Sequence, residues 1–152
     1  VTGIQVKQIT QQKTTTVVID ESVVPGYSYS VWDNAVNPFF IISDKNVVPL
    51  GSLKDTAAIA FGKKDFLGHT SWFMALPPAN SKLWRYVFQQ AGANIYDADE
   101  DIFYSGHGIL SIHTLNGGTR NIKLKTGKTL SLILLPNSTT LIDSQTGEII
   151  LK

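Results

Sequence analysis

The chain is 152 residues long, enough for one real hydrophobic core but not for a large catalytic barrel, so a single compact unit is expected. Apolar residues at 43% against charged residues at 16% describe a folded chain with a Thr-, Ser- and Asn-rich surface, not a disordered one. With a net charge of +1 and no basic run longer than Lys63-Lys64, electrostatic capture of nucleic acid or an anionic membrane is not indicated.

The absence of cysteine removes disulfides, thiolate metal ligands and a cysteine nucleophile, and suits the periplasm or the cell exterior. No run of about 18 apolar residues is present to span a bilayer as a helix. The first residue is Val1 and no leader pattern follows it, so the sequence reads as a processed product or an excised piece.

Along the chain, "VTGIQVKQITQQKTTTVVID" carries β-branched residues on either side of a polar middle and predicts two strands joined by a turn. Pro25-Gly26 punctuates it. Tyr27, Tyr29 and Val31 alternate with serines as a half-buried strand does. The apolar run Phe39 to Ile42, the turn-like Asp44-Lys45-Asn46 and then Val47-Val48 predict a hairpin. Two further strands flank a turn over Gly62 to Gly68, the second nearly continuous in apolar residues from Trp72 to Leu76, as if covered on both faces.

Pro77 and Pro78 stop that strand, and Asn80 or Ser81 can cap the helix that follows. Leu83, Trp84, Val87, Phe88 and Ala91 fall on one stripe, with Gly92 placed for a left-handed stop. "NIYDADED" then predicts a short strand and an acidic turn, the connection being long enough for a right-handed crossover between parallel neighbours. From Ile102 onward apolar segments alternate with turn residues at hairpin spacing. The expected class is α+β and mostly β: a small βαβ unit with antiparallel sheets, then a C-terminal β-meander or sandwich. One compact unit over 1–152 is expected, mixed α/β to about residue 101 and antiparallel β over 102–152.

Asp97, Asp99 and Asp101 share the alternation of a calcium loop, but Ile102 stands where that loop needs Gly and Gly108 where it needs Glu. A solvated acidic turn is the reading. His69, His107 and His113 make no zinc spacing, so no metal and no cofactor is expected. Ser71 lacks the G-x-S-x-G elbow that lifts a nucleophile above a sheet, and Glu21, Glu100 and Glu148 are not placed as a glycosidase pair. "ALPPAN" offers no glycine-rich amides to a phosphate. Aromatic rings remain: Trp72 and Trp84 are assigned to the core, and Tyr27, Tyr29 and Trp32 to an exposed platform for a sugar face.

The stretch "GHTSWFMALPPANSKLWRYVFQQAGANIYDADEDIFYSGHGILSIHT", with Ser71, Leu76-Pro77, Leu83, Arg85, Ala91-Gly92, Ile95-Tyr96, Asp101, Tyr104 and Ile112-His113 as its matching positions, resembles a region of bacterial glycoside-hydrolase-like proteins related to family 42 β-galactosidases. The later "IKLKTGKTLSLILLPNSTTLIDSQTGEII" is similar to the β tail that follows it. The resemblance implies an amidotransferase-like domain that makes oligomer contacts and shapes the surroundings of an active site, with catalysis in a separate barrel. Amidotransferase chemistry runs through an activated thiolate, which this chain lacks. The expected role is a non-catalytic accessory or assembly domain whose partner is a catalytic domain of the same protein or a second copy. The alternative is a carbohydrate-binding module.

Overall fold

The computed structural model describes residues 2–10, 15–30, 37–54, 56–77 and 80–152. By its contacts the chain divides into two compact units, Val1–Val87 and Phe88–Lys152, the division falling inside the helix rather than near Asp101. Every strand pairing among the described residues is antiparallel.

The first unit holds β1 (Val6–Ile9), β2 (Val17–Ile19), β3 (Ser28–Tyr29), β4 (Phe39–Ile42), β5 (Val48–Leu53), β6 (Ile59–Phe66) and β7 (His69–Met74). They form one sheet in the order β1-β4-β6-β5-β2-β3, with β7 also on β6. Ile59 pairs with both Ser52 and Ile42, and Phe61 with both Gly51 and Met74. One edge of β6 is therefore taken by β5, and the other by β4 and then β7. The β6–β7 hairpin forms as expected, but β6 runs on through Gly62 to Phe66, so the turn is Leu67-Gly68 alone rather than Gly62 to Gly68.

Two expected hairpins are replaced by longer-range pairings. β1 joins β4, and β2 joins β5 where Gly51 makes room for the strand beside it: a Cβ there would stand 3.1 Å from Ile19 Cδ1 and 3.0 Å from the Val18 carbonyl oxygen. Likewise β4 and β5 do not pair with each other, since β6 lies between them. The connection crosses at Gly62, where a Cβ would meet Val47 Cγ1 at 2.6 Å and Ile42 Cδ1 at 3.1 Å. Asp44 fixes that crossing: it accepts from Lys64 Nζ at 2.7 Å and from the Asn46 amide at 2.9 Å, bonds that hold its carboxyl below the usual range.

Helix α1 (Ser81–Gln90) begins where expected, with Asn80 Oδ1 accepting the Lys82 amide at 2.6 Å. Asn80→Ala should cost about 1 kcal/mol, read as a lower thermal midpoint. At the other end Gly92 has φ +81, the Ala93 amide reaches Phe88 O and the Gly92 amide reaches Gln89 O, the paired bonds of a left-handed cap. Leu83 and Val87 are buried with Val17, Phe39, Phe61 and Leu76. Trp84, assigned to the core by its place on the stripe, is 41% exposed instead. At about 100° per residue it stands a turn-quarter away from the buried Leu83 and Val87, and Tyr86 packs against the core in its place. Trp72 fits its assignment, stacking on Phe61 with centroids 5.9 Å apart. Its strand is half-buried from Ser71 to Ala75 rather than covered on both faces.

No βαβ unit forms. Residues 93–98 make no strand, and the next strand pairs antiparallel in a different sheet from β7. The reason lies in what "ANIYD" does instead: Asn94 Nδ2 donates to Lys123 O, the Lys123 amide donates to Tyr96 O, and Tyr96 stacks on Phe103. These tie the segment to the second unit by isolated bonds rather than a ladder.

The second unit is sandwich-like. β8 (Ile102–Gly106), β9 (Ile109–Thr114), β12 (Ser138–Asp143) and β13 (Ile149–Leu151) form a sheet in the order β13-β12-β9-β8, and β10 (Gly118–Lys123) pairs with β11 (Thr129–Leu134) as a separate ribbon. Alternate residues of each supply the core: Leu110 and Ile112 from β9 and Ile142 from β12 meet Ile122 and Leu134. The simple meander is broken because the β10–β11 hairpin leaves the sheet and covers its face, letting β9 and β12 become neighbours.

Candidate functional site

The proposed aromatic platform does not assemble as drawn. Tyr29 is 7% exposed, its hydroxyl donates to Leu76 O at 3.0 Å, and burial, followed by the neighbouring Tyr27, pushes its pKa up to about 12. The ring is a core residue because its one polar atom already has a buried acceptor. Tyr27 is half-buried and stacks on Tyr29 with centroids 5.8 Å apart, and desolvation raises its pKa despite a bond from Asn80. Trp32 lies outside the described residues. Tyr29→Phe should cost about 1 kcal/mol of stability, seen as a small fall in denaturation midpoint.

The acidic turn is organised by a residue that sequence reading passed over. From β10, Arg120 grips Asp101 through Nε and through Nη2 at 3.1 Å, while Nη2 also donates to Thr114 Oγ1 at 3.0 Å and Asp99 lies 3.7 Å from Nε. The guanidinium holds the Asp101 carboxyl below the usual carboxylate range, and that carboxylate in turn raises Arg120. Asp97 Oδ1 accepts the Asp99 amide, closing the turn. Among the described residues no three His, Asp or Glu side chains converge as metal ligands. His69 stacks on Phe66, and His113 Nδ1 lies 2.9 Å from Thr139 Oγ1.

In the second unit three turns meet around a groove of about 510 Å³. The β8–β9 turn contributes His107, the β10–β11 turn Lys125 and Thr126, and the β12–β13 turn Ser144 and Gln145, with Tyr96 alongside. These turns are latched together. The Ser144 amide donates to Gly108 O at 2.8 Å, Lys128 Nζ donates to Thr146 O at 2.9 Å, and Asp143 Oδ1 takes the amides of Gln145 and Thr146, which lowers its pKa. His107 sits at φ 49, in the left-handed region that His, like Asn and Asp, enters more readily than most side chains. The signal in the sequence was the pair His107-Gly108 between two apolar runs; what it could not give was the company of turns 18 and 37 residues further on.

The sequence matches no family model and no curated protein. Solved structures give a likeness to β-galactosidase from Bacillus circulans sp. alkalophilus, with a TM-score of 0.53 over 90% of this chain at 13% identity. The fold is similar to part of a β-galactosidase. That part is small: the alignment spans 23% of the Bacillus chain. At such identity the shared property is the backbone arrangement, here mostly antiparallel β with one short helix.

Proposed function

We propose that the chain is a non-catalytic accessory or assembly domain of a bacterial, carbohydrate-active, glycoside-hydrolase-like protein. The observation that carries this reading is the fold likeness to a β-galactosidase, extending over 90% of this chain and 23% of the other.

On this reading the partner is a catalytic domain of the same protein or a second copy, working in the periplasm or outside the cell. Sedimentation of the chain alone and with a separately produced catalytic domain should reveal an association, while nitrophenyl glycosides should give no turnover above buffer. Saturable hydrolysis that co-purifies with the chain would overturn the proposal.

A further inference from the structure

The latched groove of the second unit has the makings of a ligand site. We infer that it binds a saccharide carrying a carboxylate, with Lys125 pairing to the acid and the hydroxyl and amide side chains around it taking the ring hydroxyls. The saccharide half of this inference rests on the carbohydrate-linked reading above; the preference for an acid stands on the groove alone.

Size comes first: about 510 Å³ falls within the range of small-molecule sites and suits a disaccharide unit. Charge comes second. No Asp or Glu is among the residues lining the groove, and the ion pairs of the described residues join Lys64 to Asp44 and Arg120 to Asp99 and Asp101, leaving Lys125 out of them. With Lys125 as the one Lys or Arg among its lining residues and Thr126, Ser144 and Gln145 also lining it, the groove offers one strong charge-assisted bond and several neutral ones, the mixture that matches one acid among many hydroxyls. Tyr96 gives the groove an aromatic side against which an apolar sugar face can lie.

Preorganisation is the third argument. The three turns are held by the Ser144–Gly108 and Lys128–Thr146 bonds, and Gly147 is packed so closely that a Cβ would stand 2.7 Å from Leu130. Little ordering is therefore left for a ligand to impose.

Gly106 supplies a clean test. It lines the groove, has no left-handed φ, and a Cβ added there meets nothing within 4 Å, so Gly106→Val adds apolar bulk to a lining residue with no clash at Cβ. The 152-residue chain, labelled with nitrogen-15, is titrated with digalacturonate, with galactobiose and with glutarate while amide shifts are followed. Digalacturonate should move the amides of Gly106, Gly108, Thr126, Ser144 and Gln145 saturably, and bind at least about tenfold more tightly than either comparison probe. Lys125→Gln should weaken it about tenfold, and Gly106→Val should abolish the response with the remaining spectrum unchanged.

Equal binding of galactobiose would overturn the acid preference, and equal binding of glutarate the saccharide. Shifts confined to other residues, or unchanged affinity in both variants, would overturn the site itself. Failure of the accessory-domain reading would look different: glycoside turnover by the chain, with the groove titration unaffected.

Discussion

Replacing Gly117 with alanine should destabilise the second unit by about 2–5 kcal/mol, the largest effect of any single methyl addition considered for this chain. Two costs combine. Gly117 has φ +64, where an L side chain costs about 1–2 kcal/mol. Its Cβ would also stand 2.7 Å from Pro136 N and 2.8 Å from Leu134 O. Those are backbone atoms, fixed by the pairing of Gly118 with Leu134 and by the bond from the Asn137 amide to Leu115 O, so neither can swing aside as a side chain could. Gly127→Ala is the control, because Gly127 has φ +86 with nothing within 4 Å of its Cβ and bears only the conformational cost. Denaturant titrations of the two variants should differ by more than about 1 kcal/mol. Equal losses would show that the close approach to Pro136 contributes nothing.

Arg120→Ala should cost about 2–3 kcal/mol, read from the same titrations at neutral pH. The substitution strands the Asp101 carboxylate, whose side chain is only 8% exposed, and takes a donor from the fully buried Thr114. The figure stays below that of a deeply buried ion pair because Asp99, the other acid near the guanidinium, is 57% exposed. The pH dependence follows from the direction of the shift. Asp101 has a folded-state pKa depressed below 3.8, so its contribution is present in full above that value and is lost as pH falls through the lower folded-state pKa. Wild type should therefore lose more stability than Arg120→Ala between pH 5 and pH 2, and the two curves should converge in acid. Parallel curves would mean that the pair is spectator to acid unfolding.

Local chemistry made much of this fold legible. The helix, its Asn80 cap and its Gly92 stop were readable because a cap and a period of 3.6 residues are properties of adjacent side chains. The same holds for the β6–β7 hairpin and for most strands after Ile102. What failed was partner choice. Nothing in "VKQI" or "VVI" says that β4 and β5 are their neighbours, and the fit of Ile19 over Gly51 is a contact between residues 32 apart in the chain. The βαβ reading failed for a similar reason, since "NIY" has strand composition but its bonds go singly to β10 and its ring to β8.

At the candidate sites the same limit applied. Tyr29 looked like half of an exposed platform because alternation with serine marks one wet face without telling which face, and its hydroxyl acceptor, Leu76 O, is remote in sequence. Arg120 drew no notice as one of two arginines in a chain of near-zero charge. Its role needed the sheet and the ribbon to bring β10 beside the acidic turn. The groove, assembled from three separate turns, has no footprint in any window of the sequence.

The central place of β6 in the larger sheet has a consequence for how the protein is made. Its first strands emerge from a ribosome ahead of their neighbours: β1 waits for β4, β2 has β3 on one side but waits for β5 on the other, and β4 and β5 are joined only once Ile59–Phe66 has been synthesised and slots between them. Such a topology assembles from the middle outward, late and all together, and its half-made form is a set of open apolar ribbons prone to stick to one another. Nascent chains stopped before Phe66 should accordingly need a chaperone to stay dispersed, whereas chains that have passed it should not.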